Sequence, residues 1–167
     1  MSDRVYHVLF LCTGNSARSI MAESILNRLG QGRFKAYSAG SRPKGRVHAY
    51  ALETLSAYQY DTAGLRSKSW DEFARPEAPP LDWVITLCDD AAQEACPVMP
   101  GRPVSVHWGL PDPAAVDGSE AEQKQAFIDT LQILTQHMAA LVQLHSPDRH
   151  VMQQHLHAIH TAIQGKA

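Results

Sequence analysis

The chain has 167 residues, 44% of them apolar, which suffices for one domain with a proper core. With 15 basic against 17 acidic residues the formal net charge is −2, which excludes a broad basic surface for nucleic acid but leaves room for a local anion pocket. Three cysteines, Cys12, Cys88 and Cys96, are too few and too dispersed for a disulfide scaffold.

Residues 1–7 lack the basic-then-apolar layout of a signal peptide, and the apolar run 8–12 is far too short to span a membrane. A cytoplasmic protein is therefore expected, without nucleic-acid or membrane partners, its cysteines resting as thiols and any disulfide transient. Residues 6–11, Tyr-His-Val-Leu-Phe-Leu, predict a strand buried on both faces. The strand runs into Cys12-Thr-Gly-Asn-Ser-Ala-Arg-Ser19, a small polar loop. Helical periodicity follows through Ile20, Met21, Ile25 and Leu29 to Gly30 as a stop. Residues 34–38 predict a second strand leading to Ala39-Gly40, and 47–57 a second helix. A short helix is expected over 67–73, capped by Ser69 with Glu72 three residues on.

Pro76, Pro79 and Pro80 mark a loop before the strand predicted at 83–87, which stops at Cys88. Residues 89–95 suit two helical turns ended by Pro97. A fourth strand is expected at 104–107, a Gly/Pro/Asp loop at 108–118 and a long helix at 120–144, with Phe127, Leu131, Leu134, Met138, Leu141 and Val142 on one stripe. The tail, 147–167, carries Met152, Leu156, Ile159 and Ile163 at spacings of four, three and four, as an amphipathic helix does. Such alternation implies an α/β fold in three layers, a parallel sheet covered by helices on both faces, plus a C-terminal helical extension. Ligands in such sheets bind beyond the carboxyl ends of the strands, where Cys12, Cys88 and the loop after 104–107 all fall.

Cys12 and Arg18 enclose five residues. A loop this short, closing onto a helix, can turn its N–H groups inward as an anion nest formed by Thr13, Gly14, Asn15, Ser16, Ala17 and Arg18. The helix N-terminus adds about half a positive charge, and Arg18 offers two parallel hydrogen bonds to a tetrahedral anion. Gly14 lets the backbone curl, and Asn15 tolerates the left-handed conformation. The same positive field favours a thiolate at Cys12, to which Ser19 can donate a hydrogen bond.

The run Val8-Leu-Phe-Leu-Cys-Thr-Gly-Asn-Ser-Ala-Arg-Ser-Ile-Met-Ala-Glu23 resembles the opening of the low-molecular-weight protein tyrosine phosphatases and of the arsenate reductases that share their fold. The resemblance continues through Ser38-Ala-Gly40, Ser67-Lys68-Ser69, residues 83–88 and His107-Trp-Gly-Leu-Pro-Asp-Pro-Ala114. It covers roughly residues 5–145, giving a low-molecular-weight phosphatase-like domain over 1–146 and a tail over 147–167. It implies a four-stranded parallel sheet, with Cys12 as nucleophile, Arg18 as anion clamp, Ser19 as thiolate stabiliser and Asp112, before Pro113, as proton donor to the leaving oxygen.

Both enzyme classes share that loop. Phosphatases of this type usually place aromatic residues after the Asp-Pro pair, whereas Ala114 and Ala115 follow here; Tyr50, Trp70 or Trp108 remain available as an aromatic wall. Resemblance to the thioredoxin-coupled reductases assigns Cys12 the arseno-adduct, Cys88 the attack that releases arsenite, and Cys96 the resolution of the resulting disulfide. The stretch 89–95 between those cysteines is longer than in the members compared, and Ala17 stands where some reductases carry an additional cysteine. Arsenate reductase is the leading expectation, with arsenate, phosphate or sulfate as the bound oxyanion. No bound cofactor or metal is expected; thioredoxin, or alternatively glutathione and glutaredoxin, would serve as external reductant. A phosphatase using Cys12 and Asp112 is the alternative, and a non-catalytic oxyanion sensor the third.

Nine histidines, five of them within 145–160, are read as a polar helix face rather than a metal site. Asn15, Glu23 and Ser38 are candidates for a monovalent-cation site of the kind found in some arsenate reductases.

Overall fold

The computed structural model describes residues 4–88, 99–144 and 148–164. Strand β1 (Tyr6–Leu11) leads through the loop into α1 (Arg18–Leu29), followed by β2 (Phe34–Ala39) and α2 (Ala49–Ala57). Strands β3 (Trp83–Thr86) and β4 (Val104–His107) precede α3 (Glu120–Leu141) and α4 (Arg149–Gln164). Short 3₁₀ turns occupy Trp70–Phe73 and Pro113–Ala115. The four strands form one parallel sheet in the order β2-β1-β3-β4, as the alternation of strands and helices predicts.

Alternating side chains of β1 feed the two faces of the sheet. Val8 and Phe10 join the main core with α1, α3, Trp83, Ile85 and Trp108, while Leu9 and Leu11 pack beneath Phe73, Leu81, Val84 and Met99. All six stripe residues of α3 lie on its packed side, Val142 just past its end. Helix α3 starts with a full capping box between Ser119 and Glu122. The tail helix α4 packs on α3 and β4, with Met152 and Leu156 in the main core.

Three local expectations shift. The second helix starts at Ala49 rather than at residue 47, with His48 as its cap, its Nδ1 accepting the Tyr50 N–H at 3.0 Å. Ser69 caps a 3₁₀ turn through the Asp71 N–H, and Glu72 turns away to a paired contact with Arg66. The histidines of the tail do not all lie on a polar face: His160 is buried against His137. The helix expected at 89–95, with Cys96 beyond it, lies outside the described residues. Among the described residues, no helix is long and apolar enough to cross a membrane.

Candidate functional site

The topology brings the carboxyl ends of β1, β2 and β3 together, and Cys12, Gly40 and Cys88 stand just beyond them. Carbonyls of Thr13, Gly14 and Ser16 accept from the backbone N–H groups of Arg42, Lys44 and His48 at 3.0, 3.0 and 2.8 Å. Their peptide bonds are trans, so the N–H groups of the next residues point the opposite way. Gly14 and Ala17 line the cavity described below. The loop between β2 and α2 thus fixes the backbone of residues 13–16.

Helix α1 starts at Arg18, and Ala17 before it supplies no side-chain cap; its first turn has no acidic residue. Its unsatisfied N–H groups and partial positive charge are left for an external anion. Asn15 sits at φ +43°, inside the left-handed region, and is completely buried. Gly40 is required by proximity: a Cβ there would lie 2.4 Å from the Thr13 carbonyl oxygen and 2.7 Å from that of Cys12.

Cys12 Sγ lies 2.9 Å from Ser19 Oγ, and Asn15 Nδ2 donates to the same oxygen at 2.7 Å. Cys88 packs against Cys12. The Thr13 N–H donates to Cys88 Sγ at 3.3 Å, and the Thr13 hydroxyl lies 3.4 Å from it. Both cysteines are free thiols, and both are buried. Arg18 donates to the Leu110 carbonyl at 2.8 Å and lies 3.8 Å from an Asp112 carboxylate oxygen. Asp112 itself caps the turn at Pro113–Ala115 through the Ala114 N–H at 2.9 Å.

These groups surround a cavity of about 220 Å³ lined by Cys12, Thr13, Gly14, Ser16, Ala17, Arg18, Cys88 and Asp112, with Arg42 and Lys44 at its mouth. Of the sequence-predicted residues, Asn15 and Ser19 stand behind its wall as supports of Cys12. Cys96 lies outside the described residues. No aromatic side chain is among the described lining residues. Trp108 is buried in the main core, Tyr50 packs on Phe127 and Trp70 on the opposite core, so none of the three supplies a wall. A larger open cleft, about 780 Å³ and partly walled by α1, contains no cysteine.

Behind the loop, the Lys68 ammonium lies beside Ser38 and Glu23, two of the three residues named as candidates for a monovalent-cation site. Lys68 Nζ donates to the Ser38 carbonyl at 2.8 Å and lies 4.0 Å from Glu23, which accepts the Ser38 hydroxyl. Burial pushes the Glu23 carboxyl up, against the Ser38 hydrogen bond and the nearby ammonium. Burial likewise lowers Lys68, with Glu23 opposing. The Lys68 backbone N–H also donates to Asn15 Oδ1 at 2.8 Å. Arg42 and Lys44 escaped the motif reading because they reach the loop through long-range backbone contacts, their one sequence signal being position just after β2. Lys68 lay within the Ser67-Lys68-Ser69 run but was given no role, because its contact with Asn15 is equally long-range.

This constellation has recognisable relatives. The arsenate reductase of Bacillus subtilis (strain 168) is 38% identical over 120 residues, covering 72% of this chain and 82% of that protein. A solved structure of an arsenate reductase in the phosphate binding state superposes with a TM-score of 0.66 at 25% identity, covering 83% of this chain and 98% of that one. A low molecular weight protein tyrosine phosphatase from T. tengcongensis shares the fold at 23% identity, with a TM-score of 0.60 and the same coverage of 83% and 98%. A family match, described as low molecular weight phosphotyrosine protein phosphatase, extends over residues 7–154 and takes in the loop, the described cavity lining and all of the sheet but Tyr6. The chain belongs to the low molecular weight phosphotyrosine protein phosphatase family.

Proposed function

We propose that this protein is an arsenate reductase working through a relay of Cys12, Cys88 and Cys96. The observation that carries the reading is the second thiol: Cys88 packs against Cys12 at the lip of the oxyanion loop, held by Thr13. A phosphatase needs no second thiol there, whereas reduction of arsenate needs two electrons. The absence of an aromatic ring from the described lining, in a cavity of about 220 Å³, supports a compact inorganic substrate. Relatives named arsenate reductase at 38% and 36% identity support the same reading.

In this mechanism arsenate enters the nest of residues 13–18, with two oxygens on Arg18. The Cys12 thiolate, steadied by Ser19, attacks arsenic, and one arsenate oxygen leaves as water with a proton from Asp112. The Cys88 thiolate then attacks Cys12 Sγ. The sulfur–arsenic bonding pair stays on arsenic, arsenite leaves, and a Cys12–Cys88 disulfide remains. Cys96 attacks Cys88, freeing Cys12 and leaving a Cys88–Cys96 disulfide for an external dithiol, thioredoxin in this reading. Action in the cytoplasm accompanies that choice of reductant.

The test is arsenate-dependent NADPH oxidation with thioredoxin and thioredoxin reductase. Wild type should turn over continuously and Cys88→Ser should be inactive. Steady hydrolysis of 4-nitrophenyl phosphate by a wild type that reduces no arsenate would point to the phosphatase instead.

A further inference from the structure

Arg42 and Lys44 stand at the mouth of the catalytic cavity and are both exposed. Among the described residues, neither has a carboxylate partner, in a chain whose formal net charge is −2. They are also fixed to the site. The two backbone N–H groups hold the Thr13 and Gly14 carbonyls, each at 3.0 Å. The aliphatic stem of Lys44 lies across Gly14, so closely that a Cβ on Gly14 would meet Cε at 3.3 Å and Cγ at 3.4 Å. The Lys44 ammonium, one bond beyond Cε, is therefore kept near the loop. Its charge and that of Asp112 act in opposite directions on the His48 ring, whose backbone N–H holds the Ser16 carbonyl.

A tetrahedral anion seated in the nest turns its inner oxygens to the loop and Arg18, and its remaining oxygen toward the mouth. In free arsenate or phosphate that oxygen is a charged or hydroxyl group. In an aryl monoester, or a phosphonate, the same direction is taken by an apolar group. Unpaired cations there attract the first and lose hydration against the second.

We propose that Arg42 and Lys44 are specificity residues, recognising the outward oxygen of a free tetrahedral oxyanion and discriminating against aryl phosphates. This rests on the reading of the Cys12 loop as an inorganic oxyanion site. Among the described lining residues the cavity offers these two cations and no aromatic ring.

The experiment is calorimetric titration of inorganic phosphate and of phenylphosphonate into wild type, Arg42→Gln/Lys44→Gln and Arg46→Gln. Arg46 is exposed, does not line the cavity and serves as the control for general charge. Phosphate binding should weaken about tenfold in the double variant, the scale of one lost charge-assisted contact, with phenylphosphonate changed less than about twofold or tightened. Arg46→Gln should leave both ligands within about twofold. Parallel loss of both ligands in the double variant, no loss of phosphate, or equal loss in Arg46→Gln would overturn the proposal. The reductase reading is judged separately by arsenate-dependent NADPH oxidation. Intact discrimination without reduction sinks that reading alone, and intact reduction without discrimination sinks this proposal alone.

Discussion

Asn15 joins backbone conformation and hydrogen bonding in the catalytic loop. Its left-handed φ of +43° is unfavourable for a side-chain-bearing residue, by about 1–2 kcal/mol, and its amide contacts offset that cost. Because Oδ1 accepts the Lys68 N–H, Nδ2 must face Ser19 Oγ. A hydroxyl has one proton. With Asn15 donating into Ser19 Oγ, that proton is left to point at Cys12 Sγ, 2.9 Å away, where it stabilises negative charge. Ser19→Ala should therefore slow alkylation of Cys12 by iodoacetamide at neutral pH about tenfold, the weight of one hydrogen bond to a charged group. Peptide-resolved mass spectrometry reads this directly, and an unchanged rate would contradict the hydroxyl's assigned role. Gly40→Ala should be harsher despite adding one methyl, since the new Cβ meets backbone rather than side chain. Overpacking of this kind costs about 1–3 kcal/mol, and phosphate affinity should fall with it as the loop shifts. Denaturant unfolding and calorimetry check the two halves. At this scale the Cys12–Arg18 segment was legible in sequence because strand, loop and helix start are contiguous. The role of Lys68 was not, because only folding carries it 53 residues back to Asn15.

The element that most needed the structure is α4. Its apolar spacing was legible, but the buried set is Met152, Leu156 and His160 rather than a purely apolar stripe. His160 is buried because α3 supplies a partner: His137 Nε2 and His160 Nδ1 lie 3.0 Å apart. His137 Nδ1 faces the Ile133 carbonyl at 2.9 Å and so carries the proton, which leaves its Nε2 to accept from His160. Two neutral rings satisfy this pair; two protonated rings cannot. Helix α4 also covers edge strand β4, where Gln153 Nε2 donates to the Ser105 carbonyl at 2.9 Å. Trp108 Nε1 donates to the Leu156 carbonyl at 2.8 Å, tying the helix to the start of the Asp112 loop.

Burial and the neighbouring rings His137, His107 and His157 push His160 down to about 4, and burial lowers His137 as well. Unfolded histidines titrate near 6.5, so between there and about 4 the unfolded chain binds protons that the folded one refuses. Stability should then be full above about pH 6.5 and fall as the pH drops toward 4. Thermal unfolding from pH 7.5 to 4 measures it. His160→Gln should flatten the acid-side loss, and an equally steep loss in that variant would contradict the assignment.

At the scale of the whole molecule, the sheet order β2-β1-β3-β4 gathers the chemistry at one edge. The sequence rhythm of strands and helices foretold that convergence, since parallel strands put all their carboxyl ends on one side. It could not foretell that the three candidate aromatic residues would be drawn into cores and leave the cavity to polar and cationic side chains. That outcome depends on packing partners such as His137 and Phe127, contributed by distant α3. With the Lys68 ammonium already beside Ser38 and Glu23, arsenate turnover should be the same in sodium and potassium buffers of equal ionic strength, and steady-state rates in the two decide it.

In the proposed relay the electrons for arsenate come from the paired thiols of Cys12 and Cys88. Arsenite release from Cys96→Ser in a single turnover without added reductant measures this. About one arsenite per protein is expected, accompanied by a Cys12–Cys88 disulfide in the peptide map, and then a stall even with thioredoxin. Arsenite release with both thiols still free, or equal release from Cys88→Ser/Cys96→Ser, would contradict the relay.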